Sequence, residues 1–226
     1  MAKKILIYGL GIFFSKIIVF LLIPIYTRCF STTDYGYYDV LVTNLTMLVS
    51  IAFIEVWSGT LRFMFDYENP YKPIKAVIKI IPFLGIFYFI GILILSFIMD
   101  IKYPIVTVLF GLSYFLFTIY NSICRGLQKN VDYIISGVIS ATFSSVLSII
   151  CVVLLKKGIV YVLISQTLGY LLASLYVEIR TKALRYSLCE KAETVVSKEV
   201  VKYCFPLMIN SFSFLFLGTY NKNYIL

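Results

Sequence analysis

The chain has 226 residues, of which 61% are hydrophobic, 17% aromatic and only 14% charged. Soluble domains are about half apolar and about a quarter charged, so this composition excludes a water-soluble globular protein. The formal net charge of +9 lies mostly in short segments between apolar runs, which suits loops that face anionic lipid and argues against nucleic acid as a partner.

Residue types needed for metal binding and catalysis are scarce. The chain has no histidine, and its five cysteines are scattered without C-x-x-C spacing. The sequence contains no P-loop, no G-x-G-x-x-G motif and no paired carboxylates. It therefore predicts no metal site, no cofactor and no catalytic residue, and we do not expect an enzyme.

Seven apolar stretches have the length of a membrane-spanning helix, which needs about 20 mostly apolar residues. They cover residues 5–26, 40–64, 78–99, 105–124, 133–155, 159–179 and 201–217. The fold class predicted is an all-α polytopic membrane protein with six spans and a seventh helix. Because the turns after spans 1, 3 and 5 are short, each of these spans is predicted to pair with the next as an antiparallel hairpin.

The polar stretch after span 6 is the best domain boundary. We predict a six-span N-terminal lobe over residues 1–180, a linker over 181–200, and a seventh span over 201–226 that starts a second lobe. The linker mixes acidic and basic residues, which fits either a short amphipathic helix on the membrane surface or a solvated connection.

Lysine and arginine set the expected orientation. Fourteen of them lie on the side of the N-terminus and of the linker, and five on the other side. This asymmetry predicts a cytoplasmic N-terminus and a cytoplasmic linker. The Met1-Ala-Lys-Lys start is followed by an apolar run too long for a signal peptide, so it is interpreted as an uncleaved first span.

Two charges lie well inside the predicted spans, away from the span ends. A charge at the centre of a membrane costs about 2.5 to 3.5 kcal/mol on insertion scales, so such residues normally face a cavity or a partner. Lys16 is central in span 1, and Glu55 lies in span 2 at a similar depth. We expect both to line a cavity, with a structural Lys16–Glu55 ion pair as the alternative.

Three arginines are further candidates for a substrate cavity. Arg62 follows Glu55 by two helical turns and is expected on the same face. Arg28 and Arg125 lie at span ends, where the default role is an anchor in the lipid headgroups. Basic residues along a cavity would suit an anionic substrate such as a diphosphate. Tyrosines such as Tyr114 could stack on sugar rings.

The first hairpin carries a recognisable pattern. Span 1 ends in Pro24-Ile-Tyr-Thr-Arg-Cys29, and a polar turn, Asp34-Tyr-Gly36, leads into span 2. This pattern, the Leu61-Arg-Phe63 end of span 2 and the Arg125-Gly-Leu-Gln128 turn resemble bacterial polysaccharide biosynthesis proteins, the O-antigen and lipid-linked oligosaccharide flippases. The seventh span, with Pro206-Leu-Met-Ile-Asn-Ser211, resembles that family too, but Asn221-Lys-Asn223 departs from the family's Asp-Arg-Tyr type motif.

The resemblance implies a fold, a substrate and a location. The fold would be the N-terminal lobe of a multidrug/oligosaccharidyl-lipid exporter (MATE-like), in which two lobes enclose a central cavity. The substrate would be an undecaprenyl-diphosphate-linked oligosaccharide of the O-antigen or lipopolysaccharide pathway, moved across the bacterial cytoplasmic membrane. Membrane lipids are the other expected partners.

Family members are about twice as long, so the chain is expected to be a fragment that works with a missing C-terminal lobe or as a homo-oligomer. A drug/cation antiporter of the same superfamily and a non-transporting membrane fragment stay open as alternatives. A membrane glycosyltransferase is disfavoured, because it would need a large catalytic loop outside the membrane.

Overall fold

The structure is a computed structural model that describes the backbone of residues 2–190 and 194–224, and their side chains except at 2–12, 14, 15, 19, 194, 195, 214, 215 and 217–224. Within these ranges the chain forms helices and no β-strand. The described residues form nine α-helices: α1 (Ala2–Cys29), α2 (Thr32–Ala52), α3 (Val56–Asp66), α4 (Tyr71–Met99), α5 (Pro104–Gly126), α6 (Asn130–Ile149), α7 (Val160–Thr181), α8 (Ala183–Leu188) and α9 (Thr194–Tyr224). A π-helical segment, Ile150–Leu154, continues α6.

Several of these helices are long and apolar enough to cross a membrane. Among the described residues they are Tyr71–Met99, Pro104–Gly126, Asn130–Leu154 and Val160–Thr181, and the pair α2–α3, bent by 47°, makes a fifth if it crosses as one span. The predicted all-α polytopic membrane protein is therefore confirmed. Helices α1 and α9 have 28 and 31 residues, long enough to cross, but many of their side chains lie outside the described set, so the first and seventh spans stay predictions.

The start of α2 corrects one detail of the first hairpin. The Asp34-Tyr-Gly36 segment, expected as a turn, lies inside the first helical turns because α2 already begins at Thr32. Ser31 caps the helix: its hydroxyl accepts from the Asp34 amide at 3.1 Å and donates to the Asp34 carboxylate at 2.7 Å. Such a reciprocal cap satisfies an amide that the helix leaves unpaired, so it fixes the start of α2 eight residues earlier than the apolar stretch indicates.

The seventh helix begins earlier than predicted. Helix α9 starts at Thr194 rather than near residue 201, and α8 occupies Ala183–Leu188, so most described residues of the predicted linker are helical. Val196, Val200 and Cys204 are buried at spacings of four residues and form a stripe along α9. This stripe packs on α2, α3 and α4, which explains why the helix extends beyond its membrane-like part. The division into a lobe, a linker and a second lobe remains a prediction.

Two of the three predicted hairpins are not packed as hairpins. The pair α6–α7 packs along its length, as predicted for spans 5 and 6. In contrast, α1 packs mainly against α6 rather than α2, and α5 packs against α7 and α3 more than against α4. Short loops fix which helices are sequential, but small side chains decide which surfaces approach closely in a membrane protein. The packed face of α6 carries buried serines for this purpose: Ser136, Ser140, Ser145 and Ser148.

Candidate functional site

The second span is broken where its charge lies. Ile54 and Glu55 both adopt left-handed backbone conformations, with φ angles of 50° and 49°, between the end of α2 and the start of α3. A left-handed residue other than glycine costs about 1 to 3 kcal/mol, so this break is maintained only because the surrounding packing imposes it. Its consequence is to displace Glu55 from the side of a continuous helix.

Packing from α9 holds the break in place. The Cys204 thiol is buried and donates to the Glu55 carbonyl at 3.7 Å. Gly59, one turn into α3, packs directly against Cys204, and a Cβ at Gly59 would overlap the sulfur. On the other side, Phe53 stacks on Phe115 of α5 with ring centroids 3.8 Å apart. The break is therefore fixed between α9 and α5.

Beside the break lies a polar cavity of about 540 Å³, which we call the mid-membrane cavity. Its lining comes from α2, the break, α3, α5 and α9, and it consists of Thr46, Ser50, Glu55, Trp57, Tyr114, Thr118, Asn210 and Ser211. Tyr114 is near the middle of α5, and Asn210 is near the middle of α9. The cavity therefore lies about halfway along α5 and α9.

The chemistry of this lining is specific. One carboxylate, Glu55, is half-buried among hydroxyl and amide groups, and Trp57 and Tyr114 supply aromatic faces. Within the described lining no lysine or arginine is present. Neutral hydrogen-bonding groups combined with aromatic faces suit a polar, ring-containing ligand, and the cavity volume falls within the range of about 300 to 1,000 Å³ typical of ligand pockets.

Comparison with known proteins gives one result. The sequence matches the family described as polysaccharide biosynthesis protein over residues 1–226. The chain belongs to the polysaccharide biosynthesis protein family. No curated protein and no solved structure matches it. Membership places this multi-pass membrane protein in the biosynthesis or export of polysaccharides.

Of the five candidate residues predicted in this polysaccharide biosynthesis protein, only Glu55 lines the described mid-membrane cavity. Lys16 is exposed on α1, which packs against α6, so the two predicted partners lie on different helix pairs. Among the described side chains no ion pair joins Lys16 to Glu55. The predicted ion pair is therefore absent from this structure, because the register of α1 is set by α6 rather than by α2.

The three arginines lie elsewhere. Arg62 is exposed and pairs with Asp66 at 3.0 Å, one turn further along α3. Because the break interrupts the helix at Glu55, the two-turn spacing from Glu55 to Arg62 does not place them on one face. Arg28 is exposed at the end of α1, and Arg125 is exposed at the end of α5 with its guanidinium 5.8 Å from the Tyr133 ring centre.

Most residues that line the cavity were not predicted as site residues from the sequence. Thr46 and Ser50 are four residues apart on α2, and Tyr114 and Thr118 are four apart on α5, so each pair forms a polar stripe on an otherwise apolar span. This spacing is readable from sequence. Asn210 and Ser211 join the site only because α9 packs across α2 and α3. No periodic pattern in the sequence predicts that packing.

Proposed function

We propose that this protein translocates a polyprenyl-diphosphate-linked oligosaccharide between the leaflets of the bacterial cytoplasmic membrane. It acts as a carrier, not an enzyme, in the assembly of O-antigen, lipopolysaccharide or a related surface polysaccharide. The observation that carries the proposal is the polar, aromatic-lined cavity halfway along α5 and α9, in a member of the polysaccharide biosynthesis protein family.

The mid-membrane cavity suits the sugar part of such a substrate. Hydroxyl and amide groups of Thr46, Ser50 and Asn210 match sugar hydroxyls, and Trp57 offers a ring for stacking. Glu55 accepts hydrogen bonds from sugar hydroxyls but repels a diphosphate. The diphosphate therefore lies outside this part of the cavity, near basic side chains such as Lys16.

A second lobe or a second copy of the chain completes the transport path in this proposal. Lys16 and Asn210 are exposed near the middle of α1 and α9, where contact with lipid is unfavourable for polar groups. A partner surface of the same kind covers them and leaves a water-filled passage between the two halves. The N-terminus and the end of α7 face the cytoplasm in this arrangement, following the distribution of lysine and arginine.

The test is transbilayer movement of a fluorescent polyprenyl-diphosphate-oligosaccharide in vesicles reconstituted with the protein. Trp57→Ala is expected to slow this movement about tenfold, equivalent to about 1.4 kcal/mol of lost binding. Phe97→Ala, which removes an aromatic ring that is 89% exposed at the far end of α4, is the matched control and should leave the rate unchanged. Equal rates for the wild-type protein and empty vesicles, with or without a co-expressed second lobe, would contradict the proposal.

A drug/cation antiporter is the second candidate, and the observation that favours it is the lone Glu55 carboxylate in the described lining. Glu55→Gln separates the two functions. In an antiporter it should abolish uptake of an organic cation driven by an ion gradient. In the flippase it should leave downhill movement of the lipid-linked oligosaccharide within about threefold of wild type, because an amide still hydrogen-bonds to sugar hydroxyls.

A further inference from the structure

A second polar region lies away from the mid-membrane cavity, where α1, α2, α6 and α7 meet. It consists of Tyr26, Tyr38, Ser145, Ser148 and Gln166, and we call it the hydroxyl cluster. The Tyr26 and Ser148 hydroxyls are 2.7 Å apart, and the Gln166 side-chain amide donates to the Tyr38 hydroxyl at 2.6 Å. Tyr26 and Tyr38 meet edge to face, with ring centroids 6.4 Å apart, which joins the two hydrogen-bonded pairs.

Two atoms of this cluster have no hydrogen-bond partner in the structure. They are the Ser145 hydroxyl oxygen and the Gln166 side-chain carbonyl oxygen, and both are shielded from solvent. Ser145 is only 5% exposed as a residue. A buried polar group without a partner costs about 1 to 3 kcal/mol, and more where no water is present, so two such atoms in a membrane-spanning bundle require an explanation.

The helix register places these two residues at the same level. A Cβ at Gly169 of α7 would contact both the carbonyl oxygen of Ser140 and the side chain of Ser144, so Gly169 packs between these two residues of α6. Helices α6 and α7 are consecutive and antiparallel. Gln166, three residues before Gly169, therefore faces the turn of α6 that contains Ser145.

One small molecule that both accepts and donates hydrogen bonds would satisfy Ser145 and Gln166 together. The Ser145 hydroxyl has a proton to donate, and the Gln166 carbonyl oxygen needs a donor. A water molecule accepts the first bond and donates the second. Buried waters in proteins typically bind groups of this kind, with two to four polar partners, and the nearby Tyr38 hydroxyl supplies a third.

The cluster lies close to one end of the bundle. A cavity of about 420 Å³ lies there, lined by Cys29, Phe30, Val152, Val153, Lys156, Lys157 and Gly158. Phe30 is one helical turn beyond Tyr26, and Val152 is one turn beyond Ser148, so the hydrogen-bonded Tyr26–Ser148 pair lies about 5 Å below the floor of this cavity.

We propose that a water molecule is bound between Ser145 and Gln166 as an integral part of the lobe. It exchanges with solvent through the lysine-lined cavity, past the Tyr26–Ser148 pair. It connects α2 to α6 and α7 without using a charge, while the Tyr26–Ser148 hydrogen bond connects α1 to α6. The proposal is independent of the proposed transport function, because it concerns helix packing that does not require a bound substrate.

Hydroxyl-radical labelling with isotopic exchange tests this directly. The full chain in lipid nanodiscs is mixed from ordinary water into H₂¹⁸O and irradiated briefly at increasing delays, and the isotope added to each tyrosine is read by mass spectrometry. Tyr38, beside the bound water, is expected to retain ¹⁶O labelling at least tenfold longer than Tyr103, which is 42% exposed. Gln166→Leu is expected to remove the slow labelling of Tyr38. Labelling of Tyr38 that is absent or exchanges as fast as that of Tyr103 overturns the proposal.

A second variant gives a result whose sign decides the question, even if Gln166→Leu folds poorly. With the water present, Ser145→Ala removes a hydrogen bond and should lower the melting temperature by about 3 °C. Without it, the same change removes an unsatisfied hydroxyl and should raise the melting temperature. The matched control is Ser165→Ala, which changes a fully buried serine of α7 whose hydroxyl donates to the Tyr161 carbonyl at 2.7 Å. This variant should change the melting temperature by less than about 1 °C, because a serine hydroxyl bonded to a carbonyl of its own helix adds little to stability. An unchanged or higher melting temperature for Ser145→Ala overturns the proposal.

Discussion

Two sides of the helix bundle use polar residues in opposite ways. Where α1, α2, α6 and α7 meet, serines, tyrosines and a glutamine lie in helices and hydrogen-bond to one another. Where α2, α3, α5 and α9 meet, the backbone is broken and the polar groups line an open cavity with a carboxylate. The first side holds helices together, and the second leaves space between them.

The difference follows from how closely the helices approach. Small residues such as Gly169 and Ser144 let α6 and α7 pack almost backbone to backbone, which leaves room for hydroxyls but none for a ligand. On the other side, Trp57 and Tyr114 keep the walls apart, and the left-handed break turns Glu55 into the gap. The same apolar composition therefore yields a rigid half and a half suited to binding.

The largest effect expected comes from blocking the close approach of α6 and α7. Gly169→Leu places side-chain atoms against the Ser140 carbonyl oxygen, which is backbone and has little freedom to move. We expect a loss of about 3 kcal/mol in unfolding free energy, measured by thermal or denaturant unfolding in detergent. Gly85→Leu on α4, where a Cβ meets nothing within 4 Å, is the control and should not destabilise. Equal losses for the two variants would contradict close packing at Gly169.

The next largest effect on unfolding free energy is expected at the other end of the α6–α7 pair, where polar side chains join the two helices. One Asp132 carboxylate oxygen accepts from the Tyr176 hydroxyl at 2.9 Å and from the Arg180 guanidinium at 3.0 Å. Because Asp132 is 8% exposed while Arg180 is largely in solvent, Asp132→Ala should cost about 1.5 kcal/mol in unfolding free energy. Asp66→Ala, which removes the exposed partner of Arg62, should cost less than about 0.5 kcal/mol in the same assay. A cost at Asp66 equal to that at Asp132 would show that burial does not distinguish the two pairs.

The smallest effect has the opposite sign and tests the strained break. Glu55→Gly removes the steric cost of a left-handed φ, so it should raise the unfolding free energy by about 1 kcal/mol. Substitution by glycine at an exposed position inside α9, Lys198→Gly, should lower the unfolding free energy by about 1 kcal/mol, because glycine weakens an ordinary helix. Destabilisation by both variants in parallel unfolding experiments would show that Glu55 is not strained.

Sequence alone determined the class of this protein. The hydropathy of the spans requires a membrane, and a membrane requires helices that satisfy their own backbone hydrogen bonds, so the all-α fold followed from composition and run length. It also singled out Glu55, because a carboxylate inside a span is costly unless it faces a cavity.

Tertiary structure decided the rest, because contacts between distant helices leave no periodic trace in the chain. The break at Ile54–Glu55 contains neither proline nor glycine, and it exists because Cys204 and Phe115 hold it from two other helices. Packing of α1 on α6 separated Lys16 from Glu55, and packing of α9 across α2 and α3 brought Asn210 to the cavity. The sequence identified a charge that needs a cavity, and the packing of four helices built that cavity.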